Sequence, residues 1–169
     1  MKTGLFIGRF QPFHNGHLSV IKQMEKKCDE IIIAIGSSQY GFYKENPMTA
    51  GERIAAISAV LRKELKLPFY LILVEDIHCY PKYVSHVKSL VPRFNVVYNT
   101  DNGVIEELFR EAGYEVRQFE QRIKTRATDV RNLIAKGKEW KHLVPENVFS
   151  FLVKNKIDER IRRLMNNGN

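Results

Sequence analysis

Only two cysteines, Cys28 and Cys79, occur in the 169 residues, and no Cys-x-x-Cys pair is present. That spacing excludes a disulfide framework and a thiolate metal knuckle, and leaves both thiols to packing. No uninterrupted apolar run approaches the roughly 20 residues of a membrane span, and the N-terminus has no charged-then-apolar leader pattern. The expectation is a cytoplasmic protein with no membrane partner. No linker, repeat or low-complexity stretch appears, and 44% hydrophobic residues suffice for one full core. The chain is therefore expected to form a single domain over 1–169 with a C-terminal helical extension at about 145–166. Acidic residues are in deficit, 19 Asp and Glu against 27 Lys and Arg, giving a net charge of +8. Such an excess implies anionic partners without saying which. The basic residues are scattered, with a modest cluster at Arg160, Arg162 and Arg163, so they read as a solvated surface and not as a dedicated nucleic-acid patch. The lone tryptophan, Trp140, reads as a packing anchor, and His78, His86 and His142 have no partner spacing.

What is present is an alternation of strand-length apolar runs with helical patterns, the signature of repeated βα units and a mostly parallel sheet. Strands are expected at 3–7, Glu30–Ile35, Phe69–Val74, Phe94–Tyr98 and, more polar and edge-like, Tyr114–Phe119. Helices are expected at 16–27, from a Thr49/Glu52 capping box to about Leu65, at 80–90, 102–112, 128–136, 146–154 and 157–166. Handedness and connection rules favour the doubly wound order 3-2-1-4-5, with a crevice at the carboxyl ends of the first and fourth strands. The fold class is thus α/β, a Rossmann-like doubly wound parallel five-stranded sheet with C-terminal helices.

Between the first strand and the first helix lies Gly8-Arg9-Phe10-Gln11-Pro12-Phe13-His14-Asn15-Gly16-His17. A strand-to-helix turn presents backbone N–H groups and the positive end of a helix dipole to an anion. Here it also carries imidazoles and a guanidinium. Gly8 would let the chain leave the strand closely, and Gly16 would keep Cβ atoms off the first helical turn. His14 and His17, three apart, would share one side of the helix mouth. The competing reading is a structural turn, since His17, Ile21 and Met24 also fall at core spacing.

These residues resemble the nucleotidylyltransferase superfamily and, in the longer string, the archaeal-type nicotinamide mononucleotide (NMN) adenylyltransferases. Three further blocks carry the likeness: Asn46-Pro47-Met48-Thr49-Ala50-Gly51-Glu52-Arg53, then Val74-Glu75-Asp76-Ile77 with Tyr83-Val84-Ser85-His86, then Thr128-Asp129-Val130-Arg131. Arg126 stands where the family usually has serine, and Tyr83 where it often has tryptophan. The resemblance implies transfer of AMP from ATP to NMN, giving NAD and pyrophosphate. It implies His14, His17, Arg9 and Arg131 as catalytic groups, with Gly8, Phe10, Gly16 and Thr128 completing the ATP site. Asp76, Ile77 and Tyr83 would bind NMN. Mg²⁺ is expected on the ATP phosphates, with no metal ligand from the protein, and a homo-oligomer, a hexamer by resemblance.

The chemistry fits a site rich in phosphate donors with no Ser or Cys nucleophile beside a base. A phosphate monoester, already ionised near neutral pH, attacks the α-phosphorus directly, so alignment and charge neutralisation do the catalysis. Relatives using nicotinic acid mononucleotide, phosphopantetheine or FMN, or a cytidylyltransferase, share the first turn. A basic nucleic-acid-binding module would explain the charge but not the histidine pair. An apolar stripe of Ile157, Ile161, Leu164 and Met165 on the last helix has to be covered by the chain itself or by another subunit.

Overall fold

The computed structural model describes residues 1–98, 103–118, 123 and 125–166. They divide into two compact units, one drawn from Met1–Gly8, Val20–Ser38 and Leu65–Glu120, the other from Arg9–Ser19, Gln39–Glu64 and Gln121–Asn169.

The first unit holds five parallel strands: β1 (Thr3–Gly8), β2 (Glu30–Ile35), β3 (Phe69–Leu73), β4 (Val96–Tyr98) and β5 (Glu115–Arg117). Their order is β3-β2-β1-β4-β5, as the pattern of alternating elements led us to expect. Phe6 of β1 lies opposite Ile33 on one side and Tyr98 on the other, so the order reverses at β1. β2 is buried from Ile31 to Ile35, which accounts for its run of branched apolar residues: covered strands have no solvent face to alternate toward. β3 and β5 are the edges, and Tyr70 of β3 is 44% exposed. Helices α3 (Tyr80–Leu90) and α4 (Gly103–Glu111) belong to the same unit, and helix α1 (Asn15–Glu25) contributes its buried Val20, Ile21 and Met24. Leu5, Ile32, Val74, Val97 and Phe109 form the middle of its core. Cys28 is a packing residue: a Cβ at Gly4 would lie 2.8 Å from its sulfur. Gly4 therefore makes room for the thiol.

The second unit holds α2 (Ala50–Glu64), α5 (Ala127–Ala135), α6 (Glu146–Lys154) and α7 (Ile157–Asn166), with a short 3₁₀ turn at Lys141–Leu143. The 3₁₀ turn carries no periodic signal in sequence. The capping box opens α2 as its spacing predicts: Glu52 accepts the Thr49 N–H at 2.9 Å, and Thr49 Oγ1 accepts the Glu52 N–H at 3.3 Å. α2 packs on α6, and Trp140 lies 4.8 Å from the Phe149 ring, an anchor as expected. α7 packs on α5 and α6 with Ile157 and Ile161 fully buried. The chain thus covers the first half of the apolar stripe, while Leu164 and Met165 stay half-buried.

Boundaries differ by small amounts. β4 begins at Val96, not Phe94, and α5 runs one residue ahead of the expected 128–136. Residue 102 of the expected fourth helix, Phe119 of the expected fifth strand and residues 167–169 of the tail lie outside the described residues. Among the described residues no helix is long and apolar enough to cross a membrane.

Candidate functional site

The turn that follows β1 is shaped by its own side chains. Phe10, not a glycine, takes the left-handed conformation, φ 53°, with its ring buried. A non-glycine residue there carries a steric cost of the order of 1 kcal/mol, so surrounding contacts must hold it. Its ring packs edge-on to the His17 imidazole, centroids 4.8 Å apart, and Phe13 lies 5.4 Å from the same imidazole. Phe10 thus backs a histidine. Gly8 ends β1, where its carbonyl accepts the Gly36 N–H at 2.9 Å.

His14 and His17 form one structure. α1 begins at Asn15, and the His14 carbonyl accepts the Leu18 N–H at 3.1 Å, so His14 is the N-cap and His17 the third helical residue. The His14 N–H donates to His17 Nδ1 at 3.2 Å, and the His17 N–H donates to His14 Nδ1 at 3.3 Å. This is a capping box in which imidazoles replace the usual hydroxyl and carboxylate. The rings stack with centroids 3.5 Å apart. Because each Nδ1 accepts an amide proton, each neutral ring carries its own proton on Nε2. The three-residue spacing therefore does more than place two rings on one side: it locks both tautomers. Gly16 makes room for the arrangement, since a Cβ there would lie 3.0 Å from the His14 ring and 3.2 Å from the Thr125 carbonyl.

Burial holds both rings neutral. It lowers the His14 pKa from 6.5 to about 4, against a smaller opposing pull from Asp129. It lowers His17 well below 6.5, with the His14 charge acting in the same direction. Between about pH 4 and 6.5 the unfolded chain takes up a proton at residue 14 that the folded chain refuses. Stability therefore falls on acidification through that window, by up to about 1.4 kcal/mol per pH unit for each such proton. The imidazole proton resonances of His14 and His17 are expected to show no titration midpoint between pH 5.5 and 8. A midpoint near 6.5 at either ring would remove the locked neutral pair.

Three buried side chains hold the turn, Gln11 from within it and Arg53 and Arg131 from outside. Gln11 reads the backbone of Met48 in both directions, its amide nitrogen donating to the carbonyl and its amide oxygen accepting the N–H, each at 2.9 Å. Arg53, fully buried on α2, donates to the Arg9 carbonyl at 2.9 Å. Arg131 on α5 donates from Nη1 to the Gln11 carbonyl at 2.8 Å and from Nη2 to Thr128 Oγ1 at 3.3 Å. Its Nε is buried with no hydrogen-bond partner among the described residues. Burial, then the neighbouring Arg9 charge, lower the Arg131 pKa, while Glu45 raises it. Arg9 is exposed. Arg126 caps α5 with its backbone N–H on Asp129 Oδ2 at 3.3 Å. An arginine has no acceptor to return the bond, so the half of the box that a serine would supply is missing.

Asp76, Ile77 and Tyr83 belong to the other unit, beyond β3 and on α3. Asp76 Oδ2 accepts the Ser37 hydroxyl at 2.7 Å, a partner that sequence reasoning missed. Ser37 itself has φ 50° and is buried. Burial, then the Asp76 charge, push the Tyr83 phenol up to about 12. Its ring meets Phe109 edge-on at 6.4 Å, and Ile77 is half-buried. His78 is exposed, and His86 Nε2 lies 3.1 Å from the Glu75 carbonyl, a structural contact.

A profile of the cytidylyltransferase-like family matches residues 5–143, which include every residue of both groups. The chain belongs to that family. A family member from Methanococcus aeolicus, named nicotinamide-nucleotide adenylyltransferase, is 44% identical over 95% of this chain and 93% of its own length. The fold is shared with a solved bifunctional NMN adenylyltransferase/ADP ribose pyrophosphatase from Francisella tularensis, with a TM-score of 0.79 at 22% identity. That match covers 97% of this chain but only 52% of the Francisella chain, so this chain spans about half its length. A second structure of the Francisella protein, complexed with AMP and a manganese ion, aligns with a TM-score of 0.75 at 20% identity over the same shares of the two chains.

Proposed function

We propose that the chain transfers AMP from ATP to NMN, forming NAD and pyrophosphate by direct in-line displacement. The observation that carries this reading is the His14–His17 cap, a pair of neutral imidazoles fixed with their protons on Nε2 at a helix N-terminus. The Arg9 guanidinium helps to lower the pKa of Arg131 beside it, a repulsion that a polyanion relieves. An NMN phosphate oxygen forms the new bond to the α-phosphorus, and the bond from that phosphorus to the pyrophosphate oxygen breaks. No general base is needed. His17 and His14 donate to the ATP phosphates, His17 nearest the α-phosphate, while Arg9 and Arg131 meet the charge that develops toward pyrophosphate. Gly8, Phe10, Gly16 and Thr128 shape that same ATP site. A divalent cation, Mg²⁺ in this reading, enters with ATP as part of the substrate. The nitrogen donors of the turn suit phosphate oxygens and leave the cation to the phosphates and water.

The name of the Methanococcus relative supports NMN as acceptor. Asp76, Ile77 and Tyr83 would bind the nicotinamide part, Tyr83 through its ring plane. Tyr83→Ala is expected to raise the KM for NMN while leaving that for ATP little changed, and Tyr83→Phe to be mild. An unaltered NMN KM in the alanine variant would assign Tyr83 to the Phe109 core alone.

The same reading takes 1–169 as one nucleotidyltransferase domain and the working enzyme as a homo-oligomer, a hexamer by family resemblance. Light scattering at micromolar concentration is expected to report a multiple of 19.7 kDa, and a monomer at every concentration would refute it. The reaction is tested by incubating the chain with ATP, Mg²⁺ and, in separate arms, NMN, nicotinic acid mononucleotide, phosphopantetheine or FMN, then identifying the dinucleotide. NAD and pyrophosphate from the NMN arm are the expected products, and turnover confined to another arm would reassign the acceptor.

A further inference from the structure

A bidentate polar anchor outside the turn comes from the last helix, α7. Arg160 on α7 grips Glu52 with both arms of its guanidinium, at 2.8 and 2.9 Å. It also donates to the Pro47 carbonyl at 3.2 Å and covers the Phe42 ring at 4.2 Å. A planar fork is the group that can do all three at once; an ammonium cannot. Two of its targets are chain neighbours of residues that hold the turn. Glu52 is the capping-box acid of α2 and the chain neighbour of Arg53, which holds the Arg9 carbonyl. Pro47 is the chain neighbour of Met48, whose backbone is clamped by Gln11.

We propose that Arg160, acting through Glu52 and Pro47, is a positioning residue that sets the conformation of the Arg9–His17 turn during nucleotidyl transfer. Loosening the cap of α2 frees Arg53 and Met48 to shift, and the Arg9 and Gln11 peptides shift with them. Misplacement of a catalytic constellation by about 1 Å costs up to about 10²-fold in rate, even when the altered residue is remote from the chemistry. The inference rests on the adenylyl-transfer reading for its kinetic part, so its test has a second readout that does not.

Arg160→Lys and Glu52→Gln are compared with the parent full-length chain by amide hydrogen exchange and by steady-state kinetics well below the unfolding temperature. The expected result is faster exchange at the His14 and His17 amides in both variants. A kcat at least about tenfold lower, with the KM for NMN unchanged, should accompany it. The double variant should be no worse than the poorer single one, because both break one linkage. Exchange that rises only within 47–53 and 157–166, with parental kcat, would make Arg160 a stability contact and overturn the proposal. A parent chain without adenylyl transfer, combined with faster exchange at His14 and His17, would overturn the reaction reading and leave the positioning role standing.

Discussion

His17→Ala is expected to lower kcat by about 10²- to 10³-fold with a much smaller change in the KM for ATP. The size is that of a lost hydrogen-bond donor aimed at a centre where charge develops in the transition state. The alanine variant also loses the acceptor for the His14 N–H and the stacked neighbour of the His14 ring. Part of its defect is therefore a broken helix cap, a loss of about 1 kcal/mol in stability. His17→Gln separates the two contributions, because glutamine at the third helical position can accept the N-cap amide as in an ordinary capping box. The glutamine variant is expected to recover thermal stability and not kcat. Parental kcat in either variant would exclude the proposed role of His17.

Arg131→Lys is expected to be nearly as harmful as Arg131→Ala, with kcat/KM for ATP down by about 10²-fold in both. A lysine cannot reach the Gln11 carbonyl and Thr128 Oγ1 together, so it gives up one of the two bonds and places a compact charge at a 6% exposed position. Full activity in the lysine variant would mean that a point charge suffices or that Arg126 does the work. A double-mutant cycle on Arg126 and Arg131 distinguishes these outcomes, since residues that share a ligand couple while independent ones add.

The sheet was legible because its signals are periodic or compositional. The isoleucine run of β2, the Thr49/Glu52 box and the Ile21–Met24 stripe of α1 each read correctly. So did the strand order, which follows from connection rules once the βα alternation is seen. What could not be read is what depends on backbone carbonyls far away in the chain. Arg53 sits on α2 beside buried Ala56 and Ile57 and looks like the polar margin of an amphipathic helix. It is fully buried because the Arg9 carbonyl, 44 residues earlier, needs a donor, and no sequence pattern records that need. Ser37 on Asp76, a pair of side chains 39 residues apart, leaves no pattern in the sequence either. The left-handed Phe10 was hidden by the glycine before it, which was the natural place to put the turn. The histidine box could have been found: it is the familiar S/T-x-x-E/Q cap written in imidazoles.

The reciprocal cap also decides which ions the turn will ignore. An imidazole coordinates zinc, nickel or copper through an unprotonated ring nitrogen. In His14 and His17 one nitrogen is already spent on an amide and the other holds the ring proton. Converting either ring to a ligand breaks a backbone hydrogen bond of the cap, at about 1 kcal/mol each. Two histidines side by side would ordinarily be a chelate for whatever late transition metal a cell lets slip. Here the tautomer makes them a poor one, and the selectivity comes from the fold rather than from a dedicated exclusion device.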